Sequence, residues 1–342
     1  MIKVKSDLLN KFTELNRNEI PYPPPERIIK AASKALTDSN RYSKMSELDE
    51  LRSLLSSYSK VEEESIFIGS GAEVLIAQIL HLFSRRGKVV IVDPTFFMIT
   101  RIAEDLEKIG TKILKIKLSE PSFSLPVEPL IEESKDASLV VIDNPNNPSG
   151  RILIDRDTAK ELCESISGLL LVDEGYYEFS KFTIADMVKD YSNLVVVRTM
   201  SKAFGLAGLK LGYIIAGKDT LDALSSLDLP LRPTRPSIHA AIEALKDTTY
   251  MKKNVELIVE ERERVRKEAS NMGVQVYPSC TNFLLMHTNT PYAAKKLGEL
   301  GIIVFDPSNQ LSHEFIRVSI GSREENDAFL SALRKITIQH KL

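Results

Sequence analysis

The sequence has no tryptophan, only two cysteines and only five histidines in 342 residues. Cys163 and Cys280 stand in no C-x-x-C pair, which argues against a disulfide framework and a cysteine-rich zinc site; reduced thiols in a cytoplasmic protein are expected. The histidines form no H-E-x-x-H and no cluster, so no metal is expected. No apolar run approaches the roughly 20 residues that span a bilayer, and no membrane partner is expected. The opening stretch "MIKVKSDLLNKF" lacks the long apolar core of a signal peptide. A formal net charge of -2 with no basic block argues against a nucleic-acid partner. Internal repeats and low-complexity linkers are also missing.

What is present is an ordinary globular composition, 43% hydrophobic and 27% charged. The length suits one large domain with a smaller one, or a single large α/β unit. Short apolar runs alternate with amphipathic stretches through the central two thirds. Candidate strands are "SIFIGS" from Ser65, "KVVIVD" from Lys88, "KILKIKL" from Lys112, "LVVID" from Leu139, "LLLVDE" from Leu169, "LVVVR" from Leu194 and "LGYIIAG" from Leu211. Most are continuously apolar rather than alternating, as in a largely parallel sheet covered on both faces. Helical patterns such as "AEVLIAQILHLF" from Ala72 and "DTAKELCESI" from Asp157 lie between them. The expected fold class is α/β, a three-layer sandwich around a mostly parallel seven-stranded sheet, with a smaller α+β domain.

The ends of the chain read differently. Prolines in "IPYPPPERIIKAASKAL" force extended chain, and a helix begins at Glu26. Past Arg235 comes a long charged helical region, "NVELIVEERERVRKEASNMG", closed by Gly273 as its C-cap. Then "NFLLMH", "GIIVFD" and "FIRVSIG" read as short strands. The expected division is a large domain over 38–245 and a small domain built from 1–37 and 246–342.

Ligands of such sheets gather outside the carboxyl ends of the strands. "GSGAE" (Gly69–Glu73), "PTFF" (Pro94–Phe97), "DNPNNPSG" (Asp143–Gly150), "DEGYYEF" (Asp173–Phe179) and "TMSKAFGLAGLK" (Thr199–Lys210) each follow a strand. Alone, Lys202 reads as a surface lysine. If desolvated, its amine has a lowered pKa and can attack a carbonyl. Thr199, Ser201 and the neighbouring glycines suit a bound anion. Lysine carbonyl chemistry beside a phosphate site points to pyridoxal 5'-phosphate. On that reading Asp173 pairs with the pyridinium nitrogen and keeps the ring an electron sink. Tyr176 and Asn147 can reach the ring phenolate oxygen, and Phe96 offers a flat stacking face. Each has a plainer reading on its own: a turn cap, a half-buried tyrosine, a loop amide, a core phenylalanine. Gly69 and Gly71 mimic the start of a dinucleotide fingerprint, but Val74 stands where the third glycine belongs. Either way, the helix opening at Ala72 can hold a phosphate.

The order of these pieces resembles the fold-type I, class II aminotransferases that use pyridoxal phosphate, and most of all their histidinol-phosphate aminotransferase group. The similar pieces run from "LNRNEIPYPPP" through "NRYSKMSELDELRSLL", "NPNNPSG", "VDEGYYEF" and "RTMSKAFGLAGLKLGY" to "IRVSIGSREEN", nearly the whole chain. The resemblance implies that Lys202 forms the Schiff base and shuttles the proton. It implies that Asp173 binds the pyridine nitrogen, Asn147 and Tyr176 bind the phenolate oxygen, and Phe96 stacks on the ring, where relatives often have tyrosine. Gly71, Ala72, Glu73, Thr199, Ser201 and Lys210 would hold the phosphate. Tyr42 would reach the phosphate of a neighbouring subunit, which implies a homodimer. Arg317 would clamp the substrate carboxylate by its planar fork, and Tyr22, Asn147 and Phe305 would complete the substrate site.

The implied reaction moves an amino group by a ping-pong mechanism from an amino acid, or a histidinol-phosphate-like amine, to a 2-oxo acid, with 2-oxoglutarate a natural acceptor. Lys210 stands where relatives usually carry a phosphate-binding arginine. Phe305 stands where the histidinol-phosphate enzymes usually carry an arginine for the substrate phosphate, and it suits an uncharged, apolar or aromatic side chain. The usual tyrosine-proline-glycine lead-in before the N-terminal segment is missing. Three rivals remain: a pyridoxal-phosphate decarboxylase of the threonine-phosphate decarboxylase type, a nicotinamide oxidoreductase built on "GSGAE", and a silent scaffold.

Overall fold

A computed structural model of the protein describes residues 12–85, 87–225 and 232–338. The first eleven residues, most of the stretch read above for a leader, lie outside them. In chain order the strands are β1 (Thr13–Leu15), β2 (Ile66–Gly69), β3 (Lys88–Asp93), β4 (Ile113–Lys117), β5 (Ala137–Asp143), β6 (Leu169–Asp173), β7 (Leu194–Thr199), β8 (Gly212–Ala216), β9 (Gln275–Val276), β10 (Phe283–His287), β11 (Ile302–Val304) and β12 (Phe315–Ser319). Seven of them form one sheet in the order β2-β8-β7-β6-β5-β3-β4. Strands β7, β6, β5, β3 and β4 pair in parallel, and β8 runs antiparallel to both of its neighbours. All seven strands read from the central part of the sequence are present and lie in this sheet.

The continuous apolar runs have the cause inferred for them. Successive side chains of a strand point to opposite faces. Val90, Val92, Val140, Ile142, Leu170, Val172 and Val196 therefore enter one core, and Val89, Ile91, Leu139, Val141, Leu171, Val195 and Val197 enter the other. Helices Ala72–Ser84 and Phe97–Lys108 supply Leu75, Ile79, Ile99 and Ala103 to the second core. Helices Arg156–Ser165 and Arg235–Lys246 supply Ala159, Leu162, Ile238 and Ala241 to the first. Helix–sheet–helix is the three-layer solution for a sheet that is apolar on both faces.

The charged stretch from Asn254 lies in one helix, Thr249–Asn271, and a separate helix, Arg235–Lys246, precedes it. Asp247 breaks the run in extended backbone, and its carboxylate accepts from the Thr249 N–H and hydroxyl instead of continuing the helix. Gly273 follows the second helix with φ of 86°, the left-handed conformation that ends helices. Beyond it lie the antiparallel sheet β12-β10-β9 and the parallel pair β1-β11.

Candidate active site

Strands β5 and β6 end in register, with Asp143 opposite Asp173. Two carboxylates thus stand side by side at the sheet edge. Asp173 accepts the Gly175 N–H at 2.9 Å, and its other oxygen has no hydrogen-bond partner among the described residues. Burial pushes its carboxyl from 3.8 up to about 7, and the Asp143 charge adds to the rise.

Lys202 follows β7. Its Nζ donates to the Arg17 carbonyl at 3.0 Å and lies 6.0 Å from the centroid of the Tyr176 ring. The side chain keeps some exposure, yet its amine lies deep enough for desolvation to bring it from 10.5 down to about 8. The Arg317 charge contributes to that fall, and the Glu73, Glu19 and Asp173 charges pull the other way.

The NPNNPSG loop is anchored from below by Asp143. One carboxylate oxygen takes the Thr95 hydroxyl (2.8 Å) and the Asn146 amide (2.8 Å); the other takes the N–H groups of Phe96 (3.1 Å) and Asn147 (2.7 Å). One residue therefore fixes both the loop that presents Phe96 and the loop that presents Asn147. Burial raises Asp143 itself to about 6 despite these bonds.

Arg317, on β12, is 4% exposed. Its Nη1 donates to the Asn147 Oδ1 at 2.5 Å and its Nη2 to the Asn16 carbonyl at 2.7 Å. The Asn147 oxygen is thereby committed to Arg317, which leaves the Asn147 NH₂ as the group turned to other partners. The guanidinium lies 4.2 Å from the Phe305 ring centroid and 5.3 Å from that of Phe283. Burial lowers it from 12.5 to about 10.

Tyr176 is buried against Phe283, and its hydroxyl accepts from the Asn18 amide at 2.8 Å. Desolvation pushes its phenol up to about 12. On the far side, β8 passes so close to the helix opening at Ala72 that a Cβ on Gly212 would stand 2.4 Å from the Ala72 nitrogen. Gly71 precedes that helix at φ of 101°, backbone that side-chain-bearing residues rarely adopt. The helix start is thus brought beside Thr199, the register partner of Gly212. Ser201 donates its N–H to the Thr199 hydroxyl at 3.1 Å, and Lys210 pairs with Glu73 at 3.1 Å.

The structure therefore brings together Lys202, Asp173, Tyr176, Asn147, Arg317, Phe305 and Phe96, with Gly71, Ala72, Glu73, Thr199, Ser201 and Lys210 at the neighbouring helix start. Two anticipated residues stand apart. Tyr42 is 99% exposed. The Tyr22 side chain makes no hydrogen bond to the others among the described residues, and its phenol is raised by burial, with Glu261 adding to the rise. Asn16, Arg17, Asn18 and Asp143 were assigned no part from sequence. Asn18 reaches Tyr176 across 158 positions of chain, which no local pattern announces. Asp143 had one signal: it is the polar residue that ends an apolar strand directly before the loop.

The donor set fits pyridoxal phosphate. A buried carboxylate with a free oxygen suits a protonated ring nitrogen, an amine near neutrality suits an aldehyde, and backbone N–H groups at a helix start suit a phosphate. Of the five buried side-chain polar atoms left without a partner among the described residues, three belong here: Asn16 Oδ1, Asn282 Oδ1 and Arg317 Nε. An unpartnered guanidinium N–H beside the site is a ready donor for a carboxylate.

Fold and site together define a fold-type I aminotransferase that depends on pyridoxal phosphate. The family model for aminotransferase class I and II matches residues 10–333. The histidinol-phosphate aminotransferase of Sulfurisphaera tokodaii is 34% identical over 333 residues, 96% of this chain and 91% of that protein. Histidinol-phosphate aminotransferase 2 of Archaeoglobus fulgidus is 36% identical over 330 residues, 95% of this chain and 93% of that protein. The fold is shared with the histidinol-phosphate aminotransferase of Sinorhizobium meliloti, solved in complex with pyridoxal-5'-phosphate. Its TM-score is 0.86 at 24% identity, covering 96% of this chain and 91% of that one. The chain belongs to the class I and II aminotransferase family, in its histidinol-phosphate aminotransferase-like group.

Proposed function

We propose that this aminotransferase takes its amino group from an amino acid with an apolar or aromatic side chain and delivers it to a 2-oxo acid. The observation that carries the substrate class is the Arg317–Phe305 stack at 4.2 Å. Relatives are named for histidinol phosphate. Here the carboxylate clamp rests on an apolar ring at the position expected to carry a phosphate-binding arginine. Phe97 extends that surface, its ring 6.1 Å from Phe305 and 5.0 Å from Phe96.

Pyridoxal phosphate, when bound, supplies an aldehyde that condenses with amines and a ring that takes up the electron pair released at the substrate α-carbon. Asp173 would hold the ring nitrogen in its protonated state. Tyr176 and Asn147 would donate to the ring oxygen, and Phe96 would cover one ring face. The N–H groups at Ala72 and Glu73, with Thr199, Ser201 and Lys210, would hold the phosphate, and Gly71, whose own N–H goes to the Gly69 carbonyl, would turn the chain into that helix. Arg317 orients the substrate through its carboxylate, and Lys202 Nζ takes the α-proton and returns it, as an amine near neutrality can do. Residues 1–37 and 246–342 act as the small domain and carry Asn18 and Arg317 to the edge of the large one, 38–245. Tyr42 serves the partner subunit of a homodimer.

The test is a half-reaction. The coloured holoprotein is mixed with single amino acids, or with histidinol phosphate, and loss of the visible band is followed. Aromatic and large apolar amino acids should bleach it fastest, and Lys202→Ala should bleach with none. Fastest bleaching by histidinol phosphate would overturn the substrate class, and carbon dioxide release from the donor would favour the decarboxylase reading.

A further inference from the structure

Three consecutive residues of the N-terminal segment each bond one side chain of the site. The Asn16 carbonyl takes Arg317, the Arg17 carbonyl takes Lys202, and the Asn18 side chain meets the Tyr176 hydroxyl. The first two are backbone acceptors that many residues could supply. The third depends on which amide atom faces Tyr176, and the surroundings settle it.

Asn18 is 1% exposed and holds φ of 55°, a left-handed conformation that asparagine tolerates better than most residues. Its backbone N–H donates to the Ser319 hydroxyl oxygen at 2.7 Å, and that hydroxyl donates back to Asn18 Oδ1 at 3.0 Å. Its carbonyl takes the Asn282 amide at 2.9 Å. The Ser319 ring of bonds pins Oδ1 on the side away from Tyr176, so Nδ2 donates to the Tyr176 oxygen at 2.8 Å. A hydroxyl that accepts from Asn18 still has its own proton to give, and no protein group among the described residues takes it.

We propose that Asn18, held by Ser319, is a positioning residue that fixes the direction of the Tyr176 hydroxyl, so that its proton points into the cofactor site rather than back into the protein. The inference rests on the proposed role of Tyr176 toward the ring oxygen. It assigns to the N-terminal segment a part in setting that oxygen's charge. Were Asn18 an aspartate, no donor would face Tyr176; the carboxylate would draw the phenolic proton to itself and leave the ring oxygen without its donor. More negative charge would then stay on that oxygen, and the proton it shares with the Lys202 nitrogen would be held to higher pH.

The experiment compares wild type, Asn18→Asp, Asn18→Gly and Tyr176→Phe, each loaded with pyridoxal phosphate, by pH titration of the visible absorbance band, with a thermal unfolding midpoint for each. Glycine keeps the left-handed backbone and removes the side chain. We expect Asn18→Asp to raise the midpoint of the band titration by about one pH unit, as loss of one hydrogen bond to a charged acceptor would, and Asn18→Gly to raise it by less. Added negative charge alone would raise the midpoint equally with or without the phenol. The Asn18→Asp shift should therefore vanish in a Tyr176→Phe background. A wild-type midpoint in Asn18→Asp, a larger shift in Asn18→Gly, or a full shift on the Phe background would overturn the inference. A wild-type protein that forms no pH-sensitive band would instead sink the proposed function on which it rests.

Discussion

Replacing Asp143 by asparagine should change the stability of the cofactor-free protein little in acid and raise it near neutral pH. The carboxylate accepts four hydrogen bonds, two at each oxygen. An amide can keep one pair, but its NH₂ then confronts two donors. If Oδ1 stays with Thr95 and Asn146, the N–H groups of Phe96 and Asn147 lose their acceptor. Two buried donors left unmade cost about 2–6 kcal/mol together, and the protonated carboxyl, whose O–H is likewise a donor, bears the same cost. Against that stands the cost of the charge. Asp143 is 2% exposed, and its carboxyl rises from 3.8 to about 6 on folding. Because the folded value is the higher one, the stability linked to this group is fully present below pH 3.8 and is lost as pH climbs through about 6. The loss amounts to about 3 kcal/mol above that point. The asparagine variant has no such loss, and Asp173 is relieved of a like charge as well. The two proteins should thus differ little near pH 4, and the variant should be the more stable by up to about 3 kcal/mol at pH 7.5. Urea unfolding of the apoprotein across that range measures it. A variant less stable than wild type at neutral pH, or a difference that does not change with pH, would refute the account of Asp143 as a buried carboxyl whose ionisation costs more than its four donors return.

Three further outcomes are expected. Apoprotein should combine with pyridoxal phosphate faster as pH rises through about 8, where Lys202 loses its proton, with the rate of colour formation as readout and a flat profile as the contrary result. Phe305→Arg should raise kcat/KM for a phosphorylated amine by roughly 10- to 100-fold, the worth of one hydrogen bond to a charged group, and lower it for aromatic donors; unchanged ratios would show that position 305 does not touch the side chain. Glu73→Gln frees Lys210 from an exposed ion pair and removes a carboxylate beside the phosphate cradle. Pyridoxal phosphate should bind up to about fivefold more tightly by equilibrium titration, and weaker binding would mean that Glu73 supports the cradle.

What can be read along the chain is what repeats locally. Seven short runs announced the seven strands, most of them apolar throughout because a strand buried on both faces must be apolar at every position. The polar residues after those runs marked the site, because chain leaving a parallel sheet emerges at the same edge each time. Asp173, Asn147, Tyr176 and Lys202 were therefore legible as a set, although each alone has a plain structural reading. Where the helix at Arg235 gives way to the charged one was not read from the sequence: Asp247 separates the two with hydrogen bonds to its own neighbours, a choice that helical periodicity does not encode.

The tertiary structure alone decided how those residues act on one another. That Asp143 faces Asp173 is a matter of strand register, and their mutual repulsion follows from it. Asn147 turns its amide outward because Arg317, 170 positions away, occupies its oxygen. Asn18 reaches Tyr176 because the N-terminal segment crosses the site. Residue types and their order determined the chemistry available to this protein. Burial and contacts between distant segments determined which proton each group keeps, since charge and hydrogen-bond direction depend on what is nearby in space and not on what is adjacent in sequence.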